Sequence, residues 1–255
     1  ASLFPQVVLE DLNSSVYNFL KQQKQLGNID LSFQKLPLSR MEILNALLKL
    51  KEQKVLNNIE QEEIDFYLQD FLVEQNLRSL EQEEKSLKYF SMSKERFTTF
   101  EYYDSNFTLS LNPIYGQTRG RKLDDWLIHR FNGLNFYGYI GKNLGYNFYF
   151  RDNSENTLPK IKVAELLKEP GVKYINPTDY SEARGLITYS WSNGSLAAGK
   201  EYLNWGSGNQ GKLIFSNKAP SFPLIKFDYS PVEWLRFSYL HGWLFSGIID
   251  SSTIR

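Results

Sequence analysis

Apolar positions in the first ninety residues recur three and four apart, the spacing that puts them on one side of a helix. Val16, Phe19 and Leu20 follow Ser14-Ser15, so a helix capped by serine is predicted there. Gly27 is placed to end it in the left-handed conformation that glycine tolerates. Ser39 and Glu42 have the spacing of a capping box, in which each side chain bonds the other's free backbone N–H. Ile43, Leu44, Leu47, Leu48 and Leu50 then form an apolar stripe. A third helix is predicted from about Glu60 to Glu74, with Ile64, Tyr67, Leu68, Phe71 and Leu72 inward, and a weaker one over Leu80–Tyr89. These stripes read as the core of a small helical bundle over residues 1–94.

The period then changes to two. Leu134–Gly141 and Leu144–Arg151 are aromatic-rich runs around a short Gly-Lys-Asn turn, a predicted β-hairpin. Phe136, Tyr146, Phe148 and Phe150 alternate on one parity, and Tyr137, Tyr139 and Tyr149 on the other. Leu186–Trp191 also alternates. Ile225, Phe227 and Tyr229 share a face opposite Leu224, Lys226 and Asp228; after Ser230-Pro231, Leu235, Phe237 and Tyr239 share a face opposite Arg236 and Ser238. A transmembrane β-hairpin has this form, apolar-aromatic outside and polar inside. A soluble sandwich or jelly roll with one wet face has the same periodicity. The density of Tyr, Phe and Trp favours the barrel, whose aromatic girdles sit at both membrane interfaces. The expected fold is therefore α+β by content: an N-terminal α-helical bundle (1–94), then an antiparallel transmembrane β-barrel region (95–255).

Composition supports that division. Gly27 is the only one of the 16 glycines before residue 96, and most aromatics lie beyond residue 95. Lys+Arg and Asp+Glu are 29 each, so there is no basic surplus for nucleic acid, and none is expected as a partner. The absence of cysteine excludes disulfides, thiolate metal sites and a Cys nucleophile. No run of 18 apolar residues predicts a transmembrane helix, which does not bear on strands. The chain starts at Ala1, as a processed mature chain would.

Three pieces of candidate chemistry are weak. Gly206-x-x-x-x-Gly211-Lys212 is most of a phosphate-binding loop, but Leu213 stands where Ser or Thr would hold Mg²⁺. Leu213-Ile214-Phe215 and the prolines at 220 and 223 oppose the helix that such a loop needs, so no nucleotide is expected. His129 with Asp124 and Asp125 suggests a His/Asp pair, yet Asp125 and His129 adjoin only on a helix, and this segment enters a strand. No spacing among the 29 acidic residues selects a glycosidase pair. No catalytic residue, metal or cofactor is expected.

Several short patterns stand out: Tyr189-Ser-Trp-Ser-Asn-Gly-Ser-Leu-Ala-Ala-Gly-Lys200, Trp205-Gly206-Ser-Gly208, Leu213-Ile-Phe-Ser216 with Ala219-Pro220, and Phe222-Pro-Leu224. Near the N-terminus, Val16–Leu20 with Gly27, and Pro37-Leu-Ser39-Arg40-x-Glu42-Ile43, join them. Together they resemble the Wzi-like capsule-assembly family of bacterial outer-membrane proteins. The resemblance implies a large antiparallel outer-membrane barrel with a helical bundle at its periplasmic mouth. It also implies partners in capsular or other surface polysaccharide and outer-membrane lipid, and no enzymatic activity. It makes Ser39, Arg40, Glu42, Trp205, Gly206, Gly208, Ser216, Ala219 and Pro220 structural motif positions. Family barrels are longer and close on a strand ending in an aromatic residue, so the sequence is expected to be the N-terminal portion of one. Sugar recognition needs aromatic faces and hydrogen-bonding or charged side chains. Trp205, Lys226, Asp228 and Arg236 are the candidates. A soluble carbohydrate-binding or glycosidase domain and a porin-like channel are the alternatives.

Overall fold

The computed structural model describes residues 8–53, 57–78, 86–93, 96–122, 125–156, 179–206, 214–215, 220–232 and 234–244. Helix α1 is Val16–Gln25. Its expected serine cap is absent: Ser15 is itself in the helical region and makes no capping bond through its side chain. Gly27 does end the helix, at φ +80°. Its N–H reaches Lys24 O and that of Asn28 reaches Gln23 O, both at 3.0 Å, so the last carbonyls are satisfied by a Schellman closure. Strand β1 (Lys35–Leu36) precedes α2 (Arg40–Lys51), which starts on the predicted capping box. Glu42 N donates to Ser39 Oγ and Ser39 N to Glu42 Oε2, each at 3.1 Å. Helix α3 (Asn58–Leu68) opens on a second box, Asn57 with Glu60, and runs through a 3₁₀ turn at Gln69–Phe71 into α4 (Leu72–Arg78). Phe19, Leu20, Ile43, Leu44, Leu47, Leu50, Ile64 and Phe71 meet in one apolar cluster. Burying each such side chain stabilises by about 1.5–3 kcal/mol.

The rest is mostly antiparallel sheet. Its strands are β2 (Ser86–Ser93), β3 (Arg96–Tyr103), β4 (Phe107–Lys122), β5 (Asp125–Ile140), β6 (Leu144–Glu155), β7 (Asp179–Trp191) and β8 (Gly194–Glu201), then β10 (Phe222–Val232) and β11 (Leu235–Gly242). Each pairs with the next in sequence, except that β9 (Asn204–Trp205) leaves the sheet and β10 joins β8 directly. The order is β11-β10-β8-β7-β6-β5-β4-β3-β2, and among the described residues the sheet is open, not closed as expected. The weak helix expected over Leu80–Tyr89 is corrected from Ser86 onward, where the chain is strand: Leu87 and Tyr89 pair with Tyr102 and Phe100. Residues 80–85 lie outside the described residues. The hairpin at 134–151 has its predicted turn, with Ile140 opposite Leu144.

Alternation sorts the sheet into two faces. One carries Leu109, Leu134, Phe136, Phe148, Ile187, Tyr189, Leu196, Ile225, Phe227, Phe237 and Tyr239, several of them strongly exposed. The other carries Thr108, Ser110, Asn147, Asn153, Arg184, Thr188, Ser190, Glu201, Lys226 and Asp228, most of them buried, together with buried Tyr139, Leu186, Phe222 and Leu224. Where Gly138 lies on the apolar face, the Tyr146 ring covers it and its hydroxyl donates to Thr108 O at 2.8 Å. A Cβ at residue 138 would stand 2.5 Å from that hydroxyl, so only glycine admits the ring.

The helical segment packs against the polar face. Tyr103 Oη donates to Asn76 O at 3.4 Å and Tyr139 Oη to Glu74 Oε1 at 2.7 Å, both near the short connections at 104–106 and 141–143. Much longer stretches of chain separate β6 from β7 and β8 from β10 at the opposite end of the sheet.

Candidate functional site

Three charged clusters hold the helical segment to the sheet. The first centres on Arg40, brought beside Glu10 because residues 8–10 pair with 38–40: Glu10 N donates to Leu38 O at 2.9 Å and Arg40 N to Val8 O at 2.8 Å. The guanidinium reaches Glu10 Oε2 at 2.5 Å, Glu74 Oε1 at 2.7 Å and Tyr137 Oη at 3.1 Å, and bonds Asp70 O. It lies between the rings of Phe71 (4.6 Å) and Tyr137 (4.2 Å). Burial opposes its charge, but the carboxylates of Glu74 and Glu10 more than offset that, so Arg40 is held more firmly protonated than usual. Burial also lifts the Glu10 carboxyl above its ordinary value despite Arg40.

In the second cluster Arg184 meets Glu201 at 3.1 Å and Glu182 at 3.0 Å, bonds Asp11, and stacks 4.2 Å from the Tyr149 ring. On the second parity of the hairpin, Tyr137 and Tyr139 are therefore docking groups for the helical segment, through Arg40 and Glu74, while Tyr149 stacks on Arg184 of the sheet itself. On sequence they read as interfacial aromatics.

The third cluster borders a cavity of about 570 Å³ between the 30–42 stretch and the polar face of β7, β8, β10 and β11. Small residues make room for it. Ala197 faces Thr188 and Lys226, and Ser195 faces Ser190 and Asp228. Lys226 Nζ is 2.9 Å from Asp228 Oδ2, and Lys35 Nζ is 3.5 Å from Asp228 Oδ1. Lys35 also donates to Ser238 Oγ, which in turn donates to Asp228. Burial depresses Lys35 below its ordinary value; Asp228 opposes this, and Lys226 and Arg236 add to it. Arg236 lines the cavity and has no ion-pair partner among the described residues.

Of the four predicted sugar-contact residues, Lys226, Asp228 and Arg236 line this one cavity. Trp205 is near it, held in β9 opposite Lys35 of β1, with Lys35 Nζ 5.0 Å from its ring centroid. Its indole faces a lysine of its own chain, which takes up one of the faces a sugar could use. Lys35, Ser195 and Ser238 were not singled out from sequence, because their proximity to Lys226 and Asp228 depends on strand pairing.

The motif positions fall as follows. Ser39 and Glu42 form the cap of α2, and Arg40 is the centre of the first cluster. Gly206 N donates to Gln34 O at 2.8 Å, with φ +124°, tying the residue after β9 to the one before β1. Pro220 is exposed. Gly208, Ser216 and Ala219 lie outside the described residues, as does most of the loop-like match that follows Gly206. His129 Nε2 is 3.0 Å from Asn153 Oδ1 and its ring packs on Phe131 and Tyr180. Among the described residues no helix is long and apolar enough to cross a membrane.

A family model described as Capsule assembly protein Wzi matches residues 87–252, which covers the sheet, Trp205 and the candidate residues of β10 and β11. Ser39, Arg40 and Glu42 lie N-terminal to the matched region. No curated protein matches, and no solved structure matches.

Proposed function

Because the chain belongs to the Wzi capsule assembly protein family, we propose that it is the wall and plug of an outer-membrane β-barrel that binds surface polysaccharide and helps attach or assemble capsule without catalysing a reaction. The observation that carries the membrane part is the sorting of the sheet into an apolar-aromatic face and a buried polar face. A bilayer requires that arrangement, and it requires closure too, since lipid does not tolerate unpaired strand edges. The edges at β2 and β11 are then paired in the membrane-inserted protein.

Orientation follows from connection lengths. Outer-membrane barrels have short periplasmic turns and longer extracellular loops. Contacts of the helical segment with the sheet near the short turns support reading it as a bundle at the periplasmic mouth. Its position against the polar face favours an occluded lumen over a conducting channel.

The polysaccharide role draws on the family and on the cavity, lined by charged, hydroxyl and apolar side chains, whose volume falls within the usual range of ligand pockets, about 300–1,000 Å³. The test has two parts. Cells lacking the protein are expected to shed capsule into the medium while making normal amounts, and purified protein is expected to bind the polysaccharide of its own strain. Retained capsule in the deletion strain, or the absence of binding, contradicts the proposal. Single-channel currents in planar bilayers would favour the porin-like alternative.

A further inference from the structure

Resting on the membrane-wall reading, we propose that Arg119 and Arg130, neighbours on the outer surface of β4 and β5, dock a phosphate-bearing lipid headgroup in the leaflet on the side of the long connections. Their position follows from where the apolar surface stops. On β4 the outward residues are apolar or aromatic from Phe107 to Tyr115 and then change to Gln117 and Arg119. On β5 the change falls between Leu134 and Asn132, and Arg130 is the next outward residue. Both strands have 16 residues, whereas about 9–11 tilted residues cross a bilayer. Their ends beyond Tyr115 and Leu134 therefore project from it. Tyr115, 88% exposed, stands at the boundary, where interfacial aromatics collect. Each arginine is four residues beyond the last apolar position of its strand. At ~3.4 Å per residue and a tilt near ~40° this is a height of about 10 Å. The long arginine stem spans the remaining distance down to the headgroups.

Strand pairing brings the two guanidinium groups together. Arg130 stands opposite Gln117, and Arg119 is the next outward residue on β4, a diagonal neighbour at roughly 7–8 Å. Arg119 Nη2 donates to Gln117 Oε1 at 3.4 Å, so its guanidinium lies back toward the residue that faces Arg130. Both arginines are exposed, and neither has an ion-pair partner among the described residues. On the same face, Asp152 of β6 stands opposite Asn132 and accepts from Ser181 Oγ at 2.6 Å, which holds its carboxylate on the β7 side. Asp179 is on β7, opposite Ser154. Positive charge therefore collects on β4 and β5, and negative charge is drawn toward β7. The planar fork of arginine matches phosphate oxygens in a two-pronged geometry. A lipid fits better than a free polyanion, because the same surface continues into Leu134 and Tyr115: phosphate meets the arginines and acyl chains meet the apolar band below.

The test uses the full chain in mild detergent, titrated with lipid A carrying both phosphates and with its phosphate-free analogue, retained lipid being counted by native mass spectrometry. The phosphorylated lipid is expected to be retained and the analogue at least about ten-fold more weakly. Inorganic phosphate at equal concentration is expected not to displace the lipid. The double variant Arg119→Gln/Arg130→Gln is expected to lose about ten-fold or more in affinity, with Arg119→Lys/Arg130→Lys between it and wild type. Both arginines are exposed, so the variants are expected to insert as wild type does, checked by heat-dependent migration on gels. A Lys142→Gln control, in the β5–β6 turn at the other end of the wall, is expected to bind as wild type. Equal retention of the two lipids, unchanged retention by the double glutamine variant, or displacement by inorganic phosphate overturns the docking site. So does a double variant that loses the strain's polysaccharide and keeps the lipid. In each case insertion of the wild-type chain leaves the membrane wall standing, whereas a wild-type chain that does not insert removes wall and docking site together.

Discussion

At the scale of single residues, Arg40 is the most consequential side chain in the helical segment. It is 7% exposed and is surrounded by two carboxylates, a backbone carbonyl and two rings. Replacing one partner of such a pair strands the other charge in a dry site, at about 3–5 kcal/mol. Arg40→Met is therefore expected to loosen the helical segment from the sheet by that amount, read as faster amide exchange across α1 and α2 with β5 and β6 still protected. Glu10 adds a pH dependence. Its folded pKa lies above the ordinary carboxyl value of 4.5. Between those two values the native state holds a proton that the unfolded chain has released, so stability falls as pH rises through this window and is regained on acidification toward 4.5. Docking of the segment, followed by hydrogen exchange corrected for intrinsic rates, is expected to tighten as pH falls from neutral through that window. Glu10→Gln is expected to flatten the slope.

At the scale of elements, some of the structure was legible locally and some was not. The Ser39–Glu42 box, the Gly27 terminus and the hairpin turn at 141–143 each depend on residues a few positions apart, and they form as their chemistry requires. Ser39→Ala is expected to cost about 1 kcal/mol in thermal or denaturant unfolding. The Asn57–Glu60 box was equally readable and defines the start of α3 more sharply than the apolar stripe did. The misread helix at 86–89 shows the opposite case: Leu, Lys and Tyr have helix-compatible propensities, and pairing with β3 overrides them. The docking role of Tyr137 and Tyr139 was hidden because alternation reports which face a residue is on and says nothing of what covers that face. The partners are distant in sequence. Arg40 lies 97 positions from Tyr137, Asp11 lies 173 from Arg184, and Lys35 lies 203 from Ser238. The same separation explains why Lys226, Asp228 and Arg236 could be put on one face from sequence while the lysine that joins them could not. The apolar face makes its own prediction: Ile187→Arg places a charge where lipid is expected, at about 2–4 kcal/mol near the bilayer centre. Its yield of heat-modifiable, membrane-inserted protein is expected to fall. Ala198→Ser, a small change on the same face, is expected to leave that yield unchanged.

At the scale of the whole molecule, the sheet has two faces and the helical segment sits on its polar side, the arrangement from which the wall and plug are proposed. The helices do not stand as a separate body, because three arginine- or lysine-centred clusters and the β1–β9 pairing tie them to the strands. The central claim is that the aromatic face meets lipid and the polar face does not. The chain contains no cysteine, so single cysteines can be introduced and spin-labelled one at a time without a background. The decisive measurement is the collision of such labels with oxygen, which concentrates in lipid, and with a water-soluble nickel chelate. The labels are placed along β6 and β7 at residues 147, 148, 187 and 188 of protein reconstituted in vesicles. Labels at 148 and 187 are predicted to favour oxygen and labels at 147 and 188 to be shielded from it, alternating along each strand. Equal access of the nickel chelate to 148 and 187, with no alternation, would contradict a membrane wall and leave a sheet that faces water.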